Sequence, residues 1–88
     1  MSYGVKYQPQ AVSDLKKLDR QTQKRITAKI IWLAENFEQI IPQPLTENWS
    51  NFYKLRVGDY RVIYSIDRQI EVLWIEKIGH RREIYDTP

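Results

Sequence analysis

The spacing of apolar residues divides the first part of this chain into one strand and two helices. Alternating apolar positions in SYGVKYQ predict a strand over residues 2–8, and Pro9 ends it because proline fits the first turn of a helix. Apolar residues then recur at helical spacing over residues 10–18, and again as one stripe over residues 22–37. Asp19 lies between these segments and is a suitable cap for the second. The pattern predicts a helical hairpin.

The periodicity changes from helical to alternating after IIPQPLTENWSN, a loop with two prolines at residues 40–51. Residues 52–57, 60–66 and 70–78 are rich in Val, Ile, Tyr and Trp, which favour strands. The dipeptide GD between the first two is a typical two-residue hairpin turn. Short connections of this kind predict an antiparallel meander. The expected fold class is therefore α+β, in the order β-α-α-β-β-β, with the helical hairpin packed on one face of the meander sheet.

The composition limits the classes of protein to which this chain can belong. The 88 residues, 42% hydrophobic and 28% charged, suit a single domain spanning residues 1–88. The sequence has no cysteine, which suits a reducing cytoplasm and excludes a disulfide framework. MSYGVKY lacks the pattern of a signal peptide, and the longest apolar run, residues 30–34, is too short to span a membrane. The net charge of +3 favours an anionic partner.

The predicted turn fixes the register of the first hairpin and brings three cations together. With two loop residues, Arg56 lies opposite Arg61 and Lys54 lies opposite Ile63. The alternate positions are apolar and belong against the helices, so the cations share the other face of the sheet. Like charges opposite each other on a sheet destabilise it, by up to about 1 kcal/mol.

Two interpretations account for this costly pair. In the structural one, a carboxylate on the third meander strand neutralises it: a two-residue turn at Arg68-Gln69 would place Glu76 opposite Arg61, whereas a longer turn would shift that register. In the functional one, the partner is a phosphate brought by the ligand, which guanidinium groups bind well. These residues alone favour the structural interpretation. Trp74 is expected on the same face, either stacked on a base or partly buried under a loop.

Two longer segments resemble the RelE-type toxins of the RelE/ParE toxin–antitoxin superfamily. The resemblance rests on YKLRVGDYRVIYSI and IEVLWIEKIGHRREIY, and the preceding strand and helices agree with it. It implies a RelE-like toxin domain that acts as a ribosome-dependent messenger-RNA endonuclease. Such toxins cut the codon in the ribosomal A site through attack by the 2′-hydroxyl of the RNA itself, and they need no metal or other cofactor.

The resemblance also implies the site residues and the partners. The catalytic residues transferred position by position are Lys54, Arg56, Arg61, Arg81 and Tyr85. His80 and Arg82 are further candidates for RNA contact. The implied partners are a small RelB-like antitoxin in a heteromeric complex, the ribosome and messenger RNA, and the implied location is the cytoplasm.

Two departures from the family pattern keep other functions open. Arg56 stands where better-known RelE members have lysine, and a guanidinium is a poor proton acceptor. The spacing from Arg81 to Tyr85 is also shorter than in those members. The alternatives are a ParE-like inhibitor of DNA gyrase without catalysis, and a catalytically decayed relative that only binds its antitoxin.

Overall fold

A computed structural model describes residues 2–45 and 51–85 of the chain, so the predicted loop at 40–51 is described only in part. The helices and strands, in chain order, are β1 Gly4–Tyr7, α1 Pro9–Lys16, α2 Arg20–Glu35, β2 Gln43–Pro44, β3 Tyr53–Val57, β4 Tyr60–Asp67, β5 Val72–His80 and α3 Arg81–Tyr85. A short 3-10 turn, Phe37–Gln39, follows α2.

The predicted helical hairpin is confirmed, with boundaries close to those expected. Pro9 is the first residue of α1, where its missing N–H costs no hydrogen bond. Asp19 caps α2, because its carboxylate accepts a hydrogen bond of 2.7 Å from the backbone N–H of Thr22. Within the described ranges, no helix is both long and apolar enough to cross a membrane.

The sheet has five strands in the order β1-β5-β4-β3-β2. The three long strands form the predicted antiparallel meander, and the α+β fold class is confirmed. Three features were not predicted. β1 pairs in parallel with β5 at one edge, the two-residue β2 pairs with β3 at the other, and the last residues form α3. β2 and α3 are too short to leave a periodic pattern in the sequence, and the alternation that predicts β1 does not say which strand it pairs with.

The core lies between the hairpin of α1 and α2 and one face of the sheet, here called the helix-covered face. Fully buried side chains come from both layers: Ile26, Ile30 and Leu33 from α2, and Val62, Tyr64, Leu73 and Ile75 from the sheet. The ring of Tyr64 packs against the rings of Phe37 and Tyr53. Burial, together with a smaller effect of the neighbouring Tyr53, raises the pKa of Tyr64 to about 12.

The register of β5 differs from the expected one, and Glu76 does not lie opposite Arg61. Gly79 takes that position instead. The β4–β5 turn is longer than two residues because the carboxylate of Asp67 accepts the backbone N–H groups of Gln69 and Ile70. A bulge then leaves Glu76 unpaired, since Ile63 pairs with Lys77 and the next residue, Tyr64, pairs with Ile75.

Candidate functional site

The face of the sheet opposite the helix-covered face carries the predicted cations and is here called the basic face. Arg56 pairs with Arg61 and Lys54 pairs with Ile63, as the two-residue turn predicts. Gly58 opens that turn with a φ of 58°, a backbone conformation that glycine adopts without strain. On β5, Gly79 and Lys77 continue the same two cross-strand rows.

The two opposed arginines lie in different environments. Arg56 is exposed to solvent, whereas only 5% of Arg61 is exposed. The Nη1 atom of Arg61 donates hydrogen bonds of 2.9 Å to the carbonyl oxygens of Gly58 and Tyr60. These backbone carbonyl oxygens therefore stabilise the Arg61 guanidinium. One interpretation of the sequence assigns this role to the carboxylate of Glu76.

The helix α3 folds back against the β3–β4 turn. The backbone N–H of Arg81 donates to the carbonyl oxygen of Asp59 at 2.8 Å, and Nδ1 of His80 accepts the N–H of Arg82 at 3.2 Å. The buried side chain of Ile84 packs over Gly79, where a Cβ would lie 3.3 Å from the Ile84 Cδ1 atom. This packing places the start of α3 beside the turn and fixes the bend between β5 and α3.

The structure separates the C-terminal candidates. Arg81 is exposed next to the β3–β4 turn. His80 instead pairs with Tyr60 on the helix-covered side, with the two rings edge to face at 5.6 Å. His80 and Arg82 line a cleft of about 550 Å³ between the end of α1 and the start of α3. Tyr85 is the last residue of α3, and its side chain lies outside the described part of the structure.

Lys54 occupies the middle of the basic face. It is half-buried, with Ile63 beside it on β4 and Gln43 beside it on β2. Of the three cations on β3 and β4, Lys54 carries the side-chain type that serves as an acid or a base in catalysis. Among residues 2–45 and 51–85, no group of three or more His, Asp or Glu side chains is placed to hold a metal ion.

Arg25 of α2 joins this region, a position that the helical periodicity does not predict. A Cβ on Gly58 would lie 3.2 Å from the Nη2 atom of Arg25, so the Arg25 guanidinium lies directly over the β3–β4 turn. Arg25 and Arg56 also line a shallow groove between α2 and β3. The side chains of Arg25, Arg56 and Arg61 thus lie around one tight turn, and the backbone of Arg81 is hydrogen-bonded to it.

Comparison with known proteins identifies the family. A family model described as "ParE toxin of type II toxin-antitoxin system, parDE" matches residues 5–85. No curated protein matches the chain in sequence.

Several solved structures share the fold. A chain of the RelBE2 toxin–antitoxin complex from Mycobacterium tuberculosis is 24% identical, with a TM-score of 0.82 over 92% of this chain and 93% of that one. A chain of the archaeal RelE–RelB complex from Pyrococcus horikoshii is 30% identical, with a TM-score of 0.68 over 92% and 97%. A chain of the chromosomal ParDE system from P. aeruginosa is 12% identical, with a TM-score of 0.73 over 90% and 96%.

Proposed function

Because the chain belongs to the ParE toxin family of type II toxin–antitoxin systems, within the RelE/ParE superfamily, and has the fold of RelE-type toxins, we propose that it is a ribosome-dependent endoribonuclease that cuts messenger RNA in the A site. The observation that carries this proposal is the set of arginines around the Gly58–Asp59 turn, next to Lys54 on the basic face. A dense cationic cluster of this kind suits a phosphate that gains charge during reaction.

The proposed reaction uses the hydroxyl group of the substrate as the nucleophile. The 2′-oxygen forms a bond to the adjacent phosphorus while the bond from phosphorus to the 5′-oxygen breaks, giving a 2′,3′-cyclic phosphate and a 5′-hydroxyl. The 2′-proton passes to a basic group, and the leaving 5′-oxygen receives a proton. Negative charge grows on the non-bridging phosphate oxygens, and fixed cations stabilise it without reorganising.

The side chains divide these tasks according to their exposure and chemistry. Arg56 and Arg81 are exposed, so their guanidinium groups can contact a phosphate directly. The contacts of buried Arg61 favour a supporting role, in which it holds the turn and adds positive charge beneath the phosphate. Among the five catalytic candidates, Lys54 and Tyr85 carry side chains of a type used for acid–base catalysis, so we assign the acid and base steps to this pair.

The proposed partners follow from the same comparisons. Several RelE-type neighbours in solved structures are in complexes with RelB antitoxins. We propose that this chain likewise forms a heteromeric complex with a small RelB-like antitoxin, and that it acts on ribosomes in the cytoplasm when that partner is removed. Binding to ribosomal RNA and messenger RNA is expected to weaken steeply with salt, because counterions are released from phosphates.

Cleavage of a defined message on translating ribosomes tests the proposal. Wild-type protein should produce new 5′ ends within the A-site codon, and Arg81→Ala should reduce the rate about 10²–10³-fold, the usual cost of losing one transition-state contact. Lys16→Ala removes an exposed cation from α1 and is the matched control, with an unchanged rate expected. The proposal fails if the folded wild-type protein produces no new ends.

A second candidate function is inhibition of DNA gyrase. It is favoured by the description of the family model as a ParE toxin and by the similarity to the ParDE system. In this alternative the chain binds gyrase and performs no RNA chemistry. A supercoiling assay with purified gyrase separates the two candidates: a gyrase inhibitor blocks supercoiling in the absence of ribosomes, whereas the proposed endoribonuclease leaves supercoiling unchanged.

A further inference from the structure

The basic face continues beyond the arginine cluster to an aromatic side chain with a cation beside it. We propose that Trp74 and Lys6 form a second RNA subsite, in which the Trp74 ring stacks on one base and Lys6 binds the neighbouring phosphate. The ligand class is single-stranded RNA. This inference rests on the proposed RNA chemistry, and it adds a contact on strands that hold none of the proposed catalytic residues.

The pairing of β1 with β5 builds this subsite. Lys6 and Trp74 are partners in the parallel register, and the Lys6 Nζ atom lies 5.6 Å from the centroid of the Trp74 ring. Lys6 is exposed and Trp74 is partly exposed. At this distance the ammonium is within cation–π range, and its exposed, flexible side chain can swing toward a phosphate.

Trp74 lies outside the buried core cluster. Its neighbours along β5, Leu73 and Ile75, are completely buried on the helix-covered face and belong to the core cluster. Trp74 points to the opposite face because successive side chains on a strand alternate. An aromatic ring that is left partly exposed on a sheet face is a suitable platform for stacking a base.

The subsite is continuous with the proposed catalytic cluster. Lys54, Ile63 and Lys77 form one cross-strand row of the basic face, and Trp74 lies in the next row, paired with Ser65. At about 3.3 Å per strand residue, Trp74 is about 17 Å along β5 from Gly79. It is therefore too far away to touch a phosphate at Arg81, and it would hold a nucleotide some distance from the cut.

The Trp74 ring, more than the local charges, favours RNA as the occupant over an acidic protein segment. The cations Lys6, Lys54 and Lys77 lie on this side of the sheet, and the carboxylate of Glu76 is engaged, since it accepts a hydrogen bond of 2.7 Å from the hydroxyl of Ser65. Cations would attract either partner. The flat ring of Trp74 adds an interaction that bases satisfy by stacking and that acidic side chains do not.

Tryptophan fluorescence tests this subsite directly in the full-length protein. The variant with Trp32→Phe and Trp49→Phe keeps Trp74 as its only tryptophan. A 2′-O-methyl RNA of about six nucleotides, within the usual size range of single-strand sites, binds without being cut because it has no free 2′-hydroxyl. We expect this probe to quench the Trp74 emission, and quenching should weaken as salt concentration rises.

Affinity measurements with substitutions at Trp74 complete the test. Trp74→Leu should raise the Kd for the same oligonucleotide about ten-fold, while Trp74→Phe retains most of the affinity because a phenyl ring still stacks. Ile31→Ala is the control, since Ile31 is exposed on α2, away from the basic face and from the groove that Arg25 and Arg56 line, and the Kd should not change. An unchanged Kd for Trp74→Leu, the absence of quenching, or an unbound oligonucleotide would each overturn the subsite.

Cleavage assays distinguish a failure of the subsite from a failure of the proposed function. If Trp74→Leu loses oligonucleotide affinity while wild-type protein cuts no message on ribosomes, the subsite stands and the endoribonuclease proposal fails. If the message is cut and the affinity does not depend on Trp74, the reverse holds. Where both hold, Trp74→Leu should raise KM for cleavage and leave kcat nearly unchanged, because Trp74 lies away from the reacting phosphate.

Discussion

The two faces of the sheet use alternate residues of the same strands for different purposes. On the helix-covered face, Val62 and Ile75 are completely buried against the helical hairpin. On the basic face, α3 is the described helix that packs over the strands, and it covers the end near Gly79. Neighbouring positions such as Lys54 and Leu55 therefore belong to different environments.

This division implies that stability and RNA chemistry can be altered separately, although their residues are interleaved. A substitution on the helix-covered face should change the free energy of unfolding and leave the cutting rate of the folded molecules unchanged. A substitution of an exposed cation on the basic face should do the opposite. Arg61 does not fit this division, because it belongs to the basic face and yet is buried.

The largest expected change in stability follows removal of a core side chain. Ile30→Ala should lower the free energy of unfolding by about 2–5 kcal/mol, because Ile30 is completely buried and truncation leaves a cavity. Chemical denaturation measures this change. Ile31→Ala is the matched control, since 54% of Ile31 is exposed, and its effect should stay within about 0.5 kcal/mol. Equal losses for both variants would contradict the assignment of the core.

A smaller loss of stability is expected at Arg61. Arg61→Ala removes the donor to the carbonyl oxygens of Gly58 and Tyr60, and leaving partly buried polar groups without a partner costs about 1–3 kcal/mol. Arg56→Ala, on the opposed and exposed partner, should change stability by less than about 0.5 kcal/mol. Thermal or urea unfolding of the two variants compares them. Equal stabilities would show that the buried arginine does not support the turn.

The smallest expected change in the free energy of unfolding at neutral pH concerns Tyr64. Its pKa in the folded protein, about 12, exceeds the ordinary value of 10, so the folded state favours the protonated phenol. The contribution of Tyr64 to the free energy of unfolding should therefore be constant below pH 10, and it should fall as the pH rises from 10 to 12. Denaturation of wild-type protein and Tyr64→Phe across this range should show a flatter profile for the variant. Parallel profiles would contradict the burial of the phenol.

The arrangement of the first hairpin could be predicted from sequence because two physical constraints agree there. The Gly58–Asp59 turn fixes the register, and the alternation of apolar residues fixes which face is buried. Both constraints act within a few residues, so the placement of Lys54, Arg56 and Arg61 on one face was predicted and is confirmed. The roles of these residues in RNA cleavage remain predictions.

The features that the sequence did not predict depend on contacts between distant segments. The register of β5 depends on a turn capped by Asp67 and on the bulge at Glu76, neither of which changes the apparent alternation enough to be recognised. The burial of Arg61 depends on the way the turn carbonyls bind its guanidinium. The position of Arg25 over Gly58 depends on the packing of α2 against the sheet, which periodicity alone does not specify.

A message that carries a single 2′-deoxynucleotide tests the central claim most directly. The cut site is first mapped on translating ribosomes with an all-ribose message, and the nucleotide on the 5′ side of that bond is then replaced by its 2′-deoxy form. The account predicts that wild-type protein no longer cuts this bond, since the attacking hydroxyl is missing, while the all-ribose message is still cut. Cleavage of the deoxy-substituted bond at the same rate would contradict the account.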